Sequence, residues 1–245
     1  MIKVTYIDHM GSDLSVVNAA RVSFGKKSSF IMEPVFVGEG FDEDLKEEVD
    51  IYEYKEALAP RDAKLISYLA NHEHLSPFGH AFASFHVKAP IFVARQLVKH
   101  KVLRWNEISR RYVDDEPEFY TPAVWRGRSA DKKQGSDAEV AINVAWYDRD
   151  DGYNSWPEDS QFIALEAYQK MLDLGVAPEQ ARMVLPQSTM TEWYWSGSLD
   201  AFASMCNLRL KPDTQYESRI VAQQISDVMK ELFPVSWASL VVEGD

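Results

Sequence analysis

The chain has 245 residues, of which 46% are hydrophobic and 26% charged, so it can form a sizeable core and lacks a disorder signature. Its formal net charge of -12 argues against general binding to nucleic acid, and no apolar run of about 18 residues predicts a membrane span. The single cysteine, Cys206, excludes a disulfide framework and a thiolate zinc site and suits the reducing cytoplasm, and the first residues lack a signal-peptide pattern.

The first part of the chain alternates strand and helix patterns. Ile2–Asp8 alternates like a strand, and Ser12–Phe24 has apolar residues at helical spacing after a serine suited to the N-cap. Gly25–Ala59 breaks this periodicity and predicts an excursion with a short helix at its end. Pro60 suits the first position of a helix, and Ala63–His72 continues as an amphipathic helix.

The next stretch is predicted as turn, strand, helix and loop. Ser76–Gly79 has turn composition, and Ala81–Ala89 alternates like a strand with one apolar face. Pro90 ends that strand and starts a helix over Ile91–Leu103. Trp105–Tyr112 is polar and predicted to be irregular.

The remainder is predicted as a polar segment followed by a helical sector. Arg126–Trp156 has poor periodicity and indicates a mobile surface segment with one strand at Val140–Tyr147. Helices are expected at Ser160–Leu174, Ala177–Leu185, Leu199–Leu208 and Thr214–Phe233. Early strands and late helices predict an α/β or α+β fold, in which a central mixed or antiparallel sheet has flanking helices and a helical C-terminal sector. No glycine-rich fingerprint supports a Rossmann dinucleotide site.

A basic stretch stands out against the acidic chain. Lys88–Arg111 is rich in Lys and Arg and has Glu107 as its only acidic residue, which suits binding of a small anion such as a nucleotide. Arg95 and Lys99 share a helix face, with Gln96 less closely aligned. The following Asn106–Arg111 combines an amide, a carboxylate, a hydroxyl and two guanidiniums, the groups that phosphate and base recognition requires. A solvated basic face is the alternative interpretation.

The remaining chemistry-bearing residues give weaker signals. The histidines at 72, 74, 80 and 86 lack the spacing of a metal site, so no metal is predicted. Cys206 lies among apolar residues and is predicted to be a small core residue rather than a nucleophile. Arg209 should lie at a helix end that faces a loop, and Arg182 should either form a salt bridge or bind an anion.

Six sequence blocks form an ordered set along the chain: Ala19–Phe24, His72–Phe78, Phe85–Gln96, Asn106–Tyr112, Ala181–Pro186 and Asn207–Arg209. Together and in this order they closely resemble the flavin-dependent thymidylate synthases. The resemblance implies synthesis of dTMP from dUMP, with methylenetetrahydrofolate as carbon donor, NADPH-reduced FAD as hydride source and no cysteine nucleophile. It also implies a homotetramer with active sites shared between subunits. The chain would form one domain over residues 1–245, with insertions at 25–59 and 126–156.

The resemblance also implies site residues by motif position. Flavin contacts are implied at His74, Ser76, Lys99, His100, Lys101, Glu107, Ser198, Leu199, Asp200 and Ser204. Nucleotide contacts are implied at Gln96, Leu97, Val98, Lys99, Glu107, Ile108, Ser109, Arg110, Arg111, Arg182 and Arg209. Arg209 is implied to be catalytic, because a guanidinium there polarises the uracil and stabilises its N3-ionised form.

The chain departs from the family pattern at several of these positions. Lys99-His100-Lys101 stands where the family has Arg-His-Arg, which keeps the charge, loses the planar bidentate fork and predicts weaker flavin or nucleotide affinity. Ser198 and Ser204 stand where Asn is frequent, and Arg110 stands where Gly is common. Alternative functions are hydroxymethylation of a pyrimidine nucleotide on the same scaffold, non-catalytic flavin or nucleotide binding, and nucleic-acid binding, which the net charge disfavours.

Overall fold

A computed structural model of the chain describes residues 1–42, 46–113, 115–129, 135–148 and 152–242. The predicted insertions are therefore described only in part, because residues 43–45, 130–134 and 149–151 lie outside these ranges. The strands are β1 Lys3–Met10, β2 Ile31–Asp42, β3 Glu47–Ala57, β4 Phe82–Pro90, β5 Arg104–Glu107, β6 Arg126–Gly127, β7 Asp137–Ala141, β8 Ala145–Asp148, β9 Gly152–Ser155 and β10 Met190–Ser198. The α-helices are α1 Asp13–Arg21, α2 Pro60–Asn71, α3 Ile91–Leu97, α4 Trp156–Asp173, α5 Pro178–Ala181, α6 Leu199–Arg209, α7 Tyr216–Leu232 and α8 Pro234–Leu240. Short 3₁₀ turns cover Val22–Phe24, Ser76–His80 and Arg182–Val184.

The centre of the fold is a four-stranded antiparallel sheet in the order β1-β4-β10-β5. In β4, Ala83, Phe85 and Val87 point into the core, whereas Ser84 and His86 lie on the opposite, partly exposed face. Residues that alternate in this way face opposite sides of a sheet, so the predicted strand is confirmed. The α/β fold class is confirmed too, because the sheet and its flanking helices share one hydrophobic core.

The central strand β10 contradicts the prediction that the last third of the chain is helical. Trp193 and Trp195 are buried in the core, whereas Tyr194 between them is 51% exposed. Trp105 of β5 stacks on Trp193, with ring centroids 4.3 Å apart. Residues 105–107 were therefore wrongly predicted to be irregular. Their pairing partner lies more than eighty residues away, so no local pattern shows that they belong to a sheet.

The helix after β4 is shorter than predicted. It ends at Leu97, and the chain then turns tightly because the N–H groups of Lys99 and His100 bond to carbonyls three residues earlier. This turn brings Leu103 against Gly197 of β10. A Cβ atom at Gly197 would lie 2.3 Å from the Leu103 side chain, so the glycine makes this close approach possible.

The segment Gly25–Ala59 also differs from its prediction. Instead of ending in a short helix, its described part contains the antiparallel hairpin β2–β3, which is separate from the central sheet. Aromatic and β-branched residues such as Val35, Phe36 and Tyr54 favour strands, and all three are exposed here. Helix α2 begins at Pro60 as predicted.

The segment Arg126–Trp156 contains more strands than predicted. Instead of one strand at Val140–Tyr147, its described parts form two small antiparallel pairs, β6–β7 and β8–β9. No helix within the described ranges has the length and hydrophobicity needed to cross a membrane.

The two ends of the fold are joined by one buried carboxylate. Asp13, in the first turn of α1, accepts hydrogen bonds from the backbone N–H groups of Val235 at 3.0 Å and Ser236 at 2.9 Å. These N–H groups open α8 and have no partner within their own helix. Asp13 therefore caps α8 and fixes the C-terminal helices against the N-terminal part of the core.

We expect Trp193→Ala to lower the free energy of unfolding by about 3–5 kcal/mol, because it removes a buried ring and leaves a cavity beside Trp105. Tyr194→Ala is the matched control, since it removes an exposed ring from the adjacent position and should cost less than about 1 kcal/mol. Urea denaturation of both variants measures the difference. Equal costs would contradict the assignment of Trp193 to the core face.

Candidate active site

Arg209 ends helix α6 and contacts the end of α3. Its Nε–H donates to His100 Nε2 at 3.2 Å, and its Nη2 donates to the backbone carbonyl of Gln96 at 3.3 Å. Burial, followed by the positive charge of Arg209, lowers the pKa of His100, and burial also lowers the pKa of Arg209. Only a neutral His100 has a ring nitrogen that can accept a hydrogen bond from the Arg209 guanidinium, so the pair holds the guanidinium in place at neutral pH.

A basic cavity of about 670 Å³ lies beside this contact, with Arg209 and Gln96 in its wall. Its walls come from the ends of α3 and α6, the start of α7, and the segment after β6. The lining residues are Arg95, Gln96, Lys99, Arg126, Gly135, Ser136, Arg209, Gln215 and Glu217. The structure thus brings together Gln96, Lys99 and Arg209, which are three of the predicted nucleotide residues. Lys99 follows the helix rather than lying on its face, yet it lines the same cavity as Arg95.

Gln96 is held on the cavity wall by two side chains of the α7 start. Its carboxamide nitrogen donates to the side-chain oxygen of Gln215, and its oxygen accepts from Ser218 Oγ at 3.2 Å. Sequence reasoning missed Gln215 and Ser218, although both lie in the stretch predicted to form the helix Thr214–Phe233. These contacts fix the orientation of the amide before any ligand binds.

Arg126 is another residue of the basic cavity that the sequence analysis did not identify. Its Nη2 forms an ion pair with Glu217, its Nε donates to Ser136 Oγ at 2.7 Å, and its guanidinium lies 4.5 Å from the centroid of the Tyr216 ring. The two charged partners are 91 positions apart. No local motif signals a pair of this separation.

A different cavity of about 820 Å³ contains the predicted flavin residues His74 and Ser76. Four cations, Arg21, Lys26, Arg61 and Lys64, and the rings of Phe24 and Tyr68 also line it. Arg21 forms an ion pair with the fully buried Asp62. Of these additional residues, Arg21 and Phe24 lie in the block Ala19–Phe24 that resembles the family, whereas Lys26, Arg61, Lys64 and Tyr68 lie in none of the six blocks.

Glu107 has an ordered carboxylate at the end of β5. Thr191 Oγ1 donates to one carboxylate oxygen at 2.7 Å, and Trp105 Nε1 donates to the other at 3.1 Å. These two donors fix the orientation of the side chain, which remains partly available for further hydrogen bonds.

The loop that contains Ile108–Arg111 lines neither of these two cavities within the described ranges. Arg111 Nε donates to Ser109 Oγ at 3.1 Å, and Arg110 donates to the backbone carbonyl of Asp115 at 2.7 Å. Arg182 is also outside both cavities and donates to the carbonyl of Glu179 at 3.3 Å. Within the described residues, Ile108–Arg111 and Arg182 are therefore not among the lining of the cavity that contains Gln96, Lys99 and Arg209.

The other predicted contacts have varied surroundings. Leu97 and Leu199 are fully buried in the core, so their side chains pack against protein. Val98 and Lys101 are exposed in the turn after α3. Near the start of α6, Ser198 is half-buried and Ser204 is exposed. Asp200 has a buried Oδ1 without a hydrogen-bond partner among the residues that the structure describes.

Cys206 is a core residue, as predicted. It is fully buried, its Sγ lies 3.6 Å from the carbonyl of Ala222, and burial raises the pKa of the thiol. A protonated thiol in the core is a poor nucleophile. In the parts of the chain that the structure describes, no cluster of three or more His, Cys, Asp or Glu residues could hold a metal ion.

Comparison with known proteins identifies the family. Residues 5–235 match the family described as thymidylate synthase complementing protein. A flavin-dependent thymidylate synthase from Thermus thermophilus is 36% identical over 236 residues, which cover 96% of this chain and 74% of that protein. A protein of the same name from Pseudothermotoga lettingae is 32% identical over 245 residues, covering 99% and 92% of the two chains.

Solved structures agree with these relatives. The crystal structure of PolB, a UMP/dUMP methylase from Streptomyces cacaoi bound with 5-Br dUMP, superposes with a TM-score of 0.70 and is 28% identical, covering 98% of this chain and 94% of that one. The same enzyme bound with 5-Br UMP gives a TM-score of 0.69 with 28% identity, over 98% and 93% of the two chains. Because the sequence matches extend over nearly its whole length, the chain belongs to the family of flavin-dependent thymidylate synthases.

Proposed function

We propose that this chain methylates dUMP to dTMP, with methylenetetrahydrofolate as the carbon donor and FAD, reduced by NADPH, as the hydride source. The observation that carries the proposal is the basic cavity in which His100 and the Gln96 carbonyl hold Arg209. A guanidinium held in advance can stabilise charge that develops on a pyrimidine without having to reorganise during the reaction.

The basic cavity suits a pyrimidine mononucleotide in size and charge. Its volume of about 670 Å³ lies within the usual range for small-molecule sites. Arg95 and Lys99 provide positive charge for a phosphate, and Arg209 retains N–H groups beyond those bonded to His100 and Gln96. In the proposed complex these N–H groups donate to a uracil oxygen and favour the N3-ionised base.

The cavity at His74 and Ser76 has the chemistry that a flavin dinucleotide requires. Arg21 is paired with Asp62, but Lys26, Arg61 and Lys64 can neutralise a pyrophosphate. Phe24 and Tyr68 provide ring surfaces for a planar aromatic group. Glu107 lies outside this cavity, but its carboxylate is oriented by Thr191 and Trp105 and is the proposed acceptor for a flavin N–H group. When bound, the reduced flavin supplies the hydride that turns the transferred one-carbon unit into a methyl group.

A complete active site requires more than one copy of the chain in this proposal. Ser109, Arg110, Arg111 and Arg182 lie outside both cavities in the described part of a single copy. We therefore retain the homotetramer with shared active sites, in which a neighbouring copy brings these residues to the nucleotide. We likewise retain one domain over residues 1–245, with insertions at 25–59 and 126–156, and a cytoplasmic location.

UMP is a second candidate acceptor. It is favoured by the structural similarity to PolB, which is named as a UMP/dUMP methylase and was crystallised with brominated forms of both nucleotides. Both reactions use the same cavity and the same role for Arg209. Parallel assays with dUMP and UMP distinguish the two acceptors by product mass, and the same measurement detects a hydroxymethylated product.

Purified protein should take up FAD and become yellow, and anaerobic NADPH should then bleach the flavin absorption. Addition of dUMP and methylenetetrahydrofolate should yield dTMP, identified by mass spectrometry. Protein that neither binds FAD nor forms a methylated pyrimidine would contradict the proposed function.

Arg209→Ala should retain FAD but lose dTMP formation, with kcat reduced by about 100-fold or more, because the developing charge on the pyrimidine loses its donor. Flavin absorption and dTMP yield measure the two properties separately. Arg128→Ala is the control, since Arg128 is exposed and is absent from the described lining of the basic cavity. Near-normal dTMP formation by Arg209→Ala would rule out the assigned role.

Cys206→Ala should keep its turnover, because the buried thiol is protonated and only packs in the core. Steady-state assays together with a thermal unfolding curve separate a catalytic defect from a stability defect. Loss of turnover in a variant with unchanged melting would point to thiolate attack on the pyrimidine and contradict the flavin route.

A further inference from the structure

A buried carboxylate lies in the wall of the basic cavity. The side chain of Glu217, in the first turn of α7, is 5% exposed. It lines the basic cavity and also an adjoining cavity of about 230 Å³, which is rich in aromatic residues. Burial and, next, the charge of Glu217 raise the pKa of Tyr120 in this second cavity. A negative charge in this position opposes the binding of an anion unless another group cancels it.

Arg126 neutralises this charge and has two further contacts in the cavity wall. One side of its guanidinium pairs with Glu217, its Nε donates to Ser136, and its plane lies over the ring of Tyr216. Its side chain is only 17% exposed. A guanidinium held by three groups is poorly placed to bind a phosphate as well, so its effect on a ligand is expected to act through Glu217.

The segment that carries Arg126 is also anchored at its far end. Gly135 has a φ of +90°, and a Cβ atom there would lie 2.9 Å from the backbone oxygen of Asp213, just before α7. Only glycine fits this close approach in this backbone conformation. The close approach of Gly135 to Asp213 and the hydrogen bond from Arg126 to Ser136 hold the described parts of this segment in place. They form one wall of the basic cavity.

We propose that Arg126 is a positioning residue that sets the nucleotide affinity of the basic cavity by neutralising Glu217, rather than by contacting the nucleotide. The inference rests on the proposed function, since it takes a pyrimidine mononucleotide as the ligand. Without Arg126, the carboxylate of Glu217 stays charged in the same cavity as Arg95 and Lys99, so it offsets their positive charge and repels a phosphate. Removing the charges of both Arg126 and Glu217 leaves the net charge of the cavity wall as it is in the wild type.

The test is a double-mutant cycle on FAD-loaded protein. Arg126→Gln should weaken dUMP binding by roughly tenfold or more, because a buried charge is left unpaired beside an anion site. Glu217→Gln should bind dUMP at least as tightly as the wild type. The double variant should recover to within a few-fold of the wild type. Isothermal titration calorimetry gives the Kd for dUMP, and Arg128→Gln is the matched control.

Steady-state kinetics separate positioning from a general structural defect. Arg126→Gln should raise KM for dUMP much more than it lowers kcat, and Arg126→Lys should fall between Gln and the wild type because it keeps the charge but loses the fork. A double variant as weak as Arg126→Gln would instead indicate direct contact with the nucleotide and overturn the proposal. Unchanged affinity in Arg126→Gln would overturn it as well.

The remaining outcomes are also decisive. If Arg126→Gln does not fold, Glu217→Gln carries the test, and weaker dUMP binding by that variant would contradict the proposal. If the wild type binds no pyrimidine nucleotide, the proposed function and this inference fail together. If the wild type binds dUMP and all variants bind it equally well, only the inference fails.

Discussion

The pairing of β10 between β4 and β5 determines where the candidate site forms. The strands β4 and β10 are antiparallel. Pro90 lies opposite Met190 at one end of the pair, and Phe82 lies opposite Ser198 at the other end. Helix α3 follows β4 directly and α6 follows β10 directly, so the two helices start at opposite ends of the sheet. The bond from Arg209 to the Gln96 carbonyl shows that their C-terminal ends meet. The basic cavity lies at this meeting point.

The meeting of two helix ends also explains why cations collect there. The last carbonyl groups of a helix lack partners within the helix and carry a partial negative charge. The Gln96 carbonyl accepts from the Lys99 N–H within the turn and from Arg209 as a second donor, and Arg95 and Lys99 lie near the same helix end. The fold therefore stabilises several positive charges in a partly buried place, and an anionic ligand gains from all of them. Neutral His100 adds an acceptor for Arg209 without adding repulsion.

Residues with a local signature were predictable, and residues that depend on distant pairing were not. The alternation of β4, the start of α2 at Pro60 and the core position of Cys206 all follow from neighbouring residues. Strand β10 was missed because Trp193, Tyr194 and Trp195 are three consecutive aromatic residues. Which of them face the core becomes clear only from the pairing of β10 with β4 and β5. The ion pair of Arg126 with Glu217 joins segments without a shared motif, and its role emerges only in three dimensions.

In each of the two cavities, an ion pair with a buried carboxylate positions an arginine. Arg21 pairs with buried Asp62 beside the proposed flavin cavity, and Arg126 pairs with buried Glu217 beside the basic cavity. A buried ion pair adds little net stability, because desolvation offsets much of its attraction, but it fixes the geometry of both partners. In the chain, Arg21 precedes and Asp62 follows the hairpin β2–β3, which pairs with no strand of the central sheet. Because Arg21 ends α1 and Asp62 lies in the first turn of α2, the pair fixes these two helices to each other beside the proposed flavin cavity.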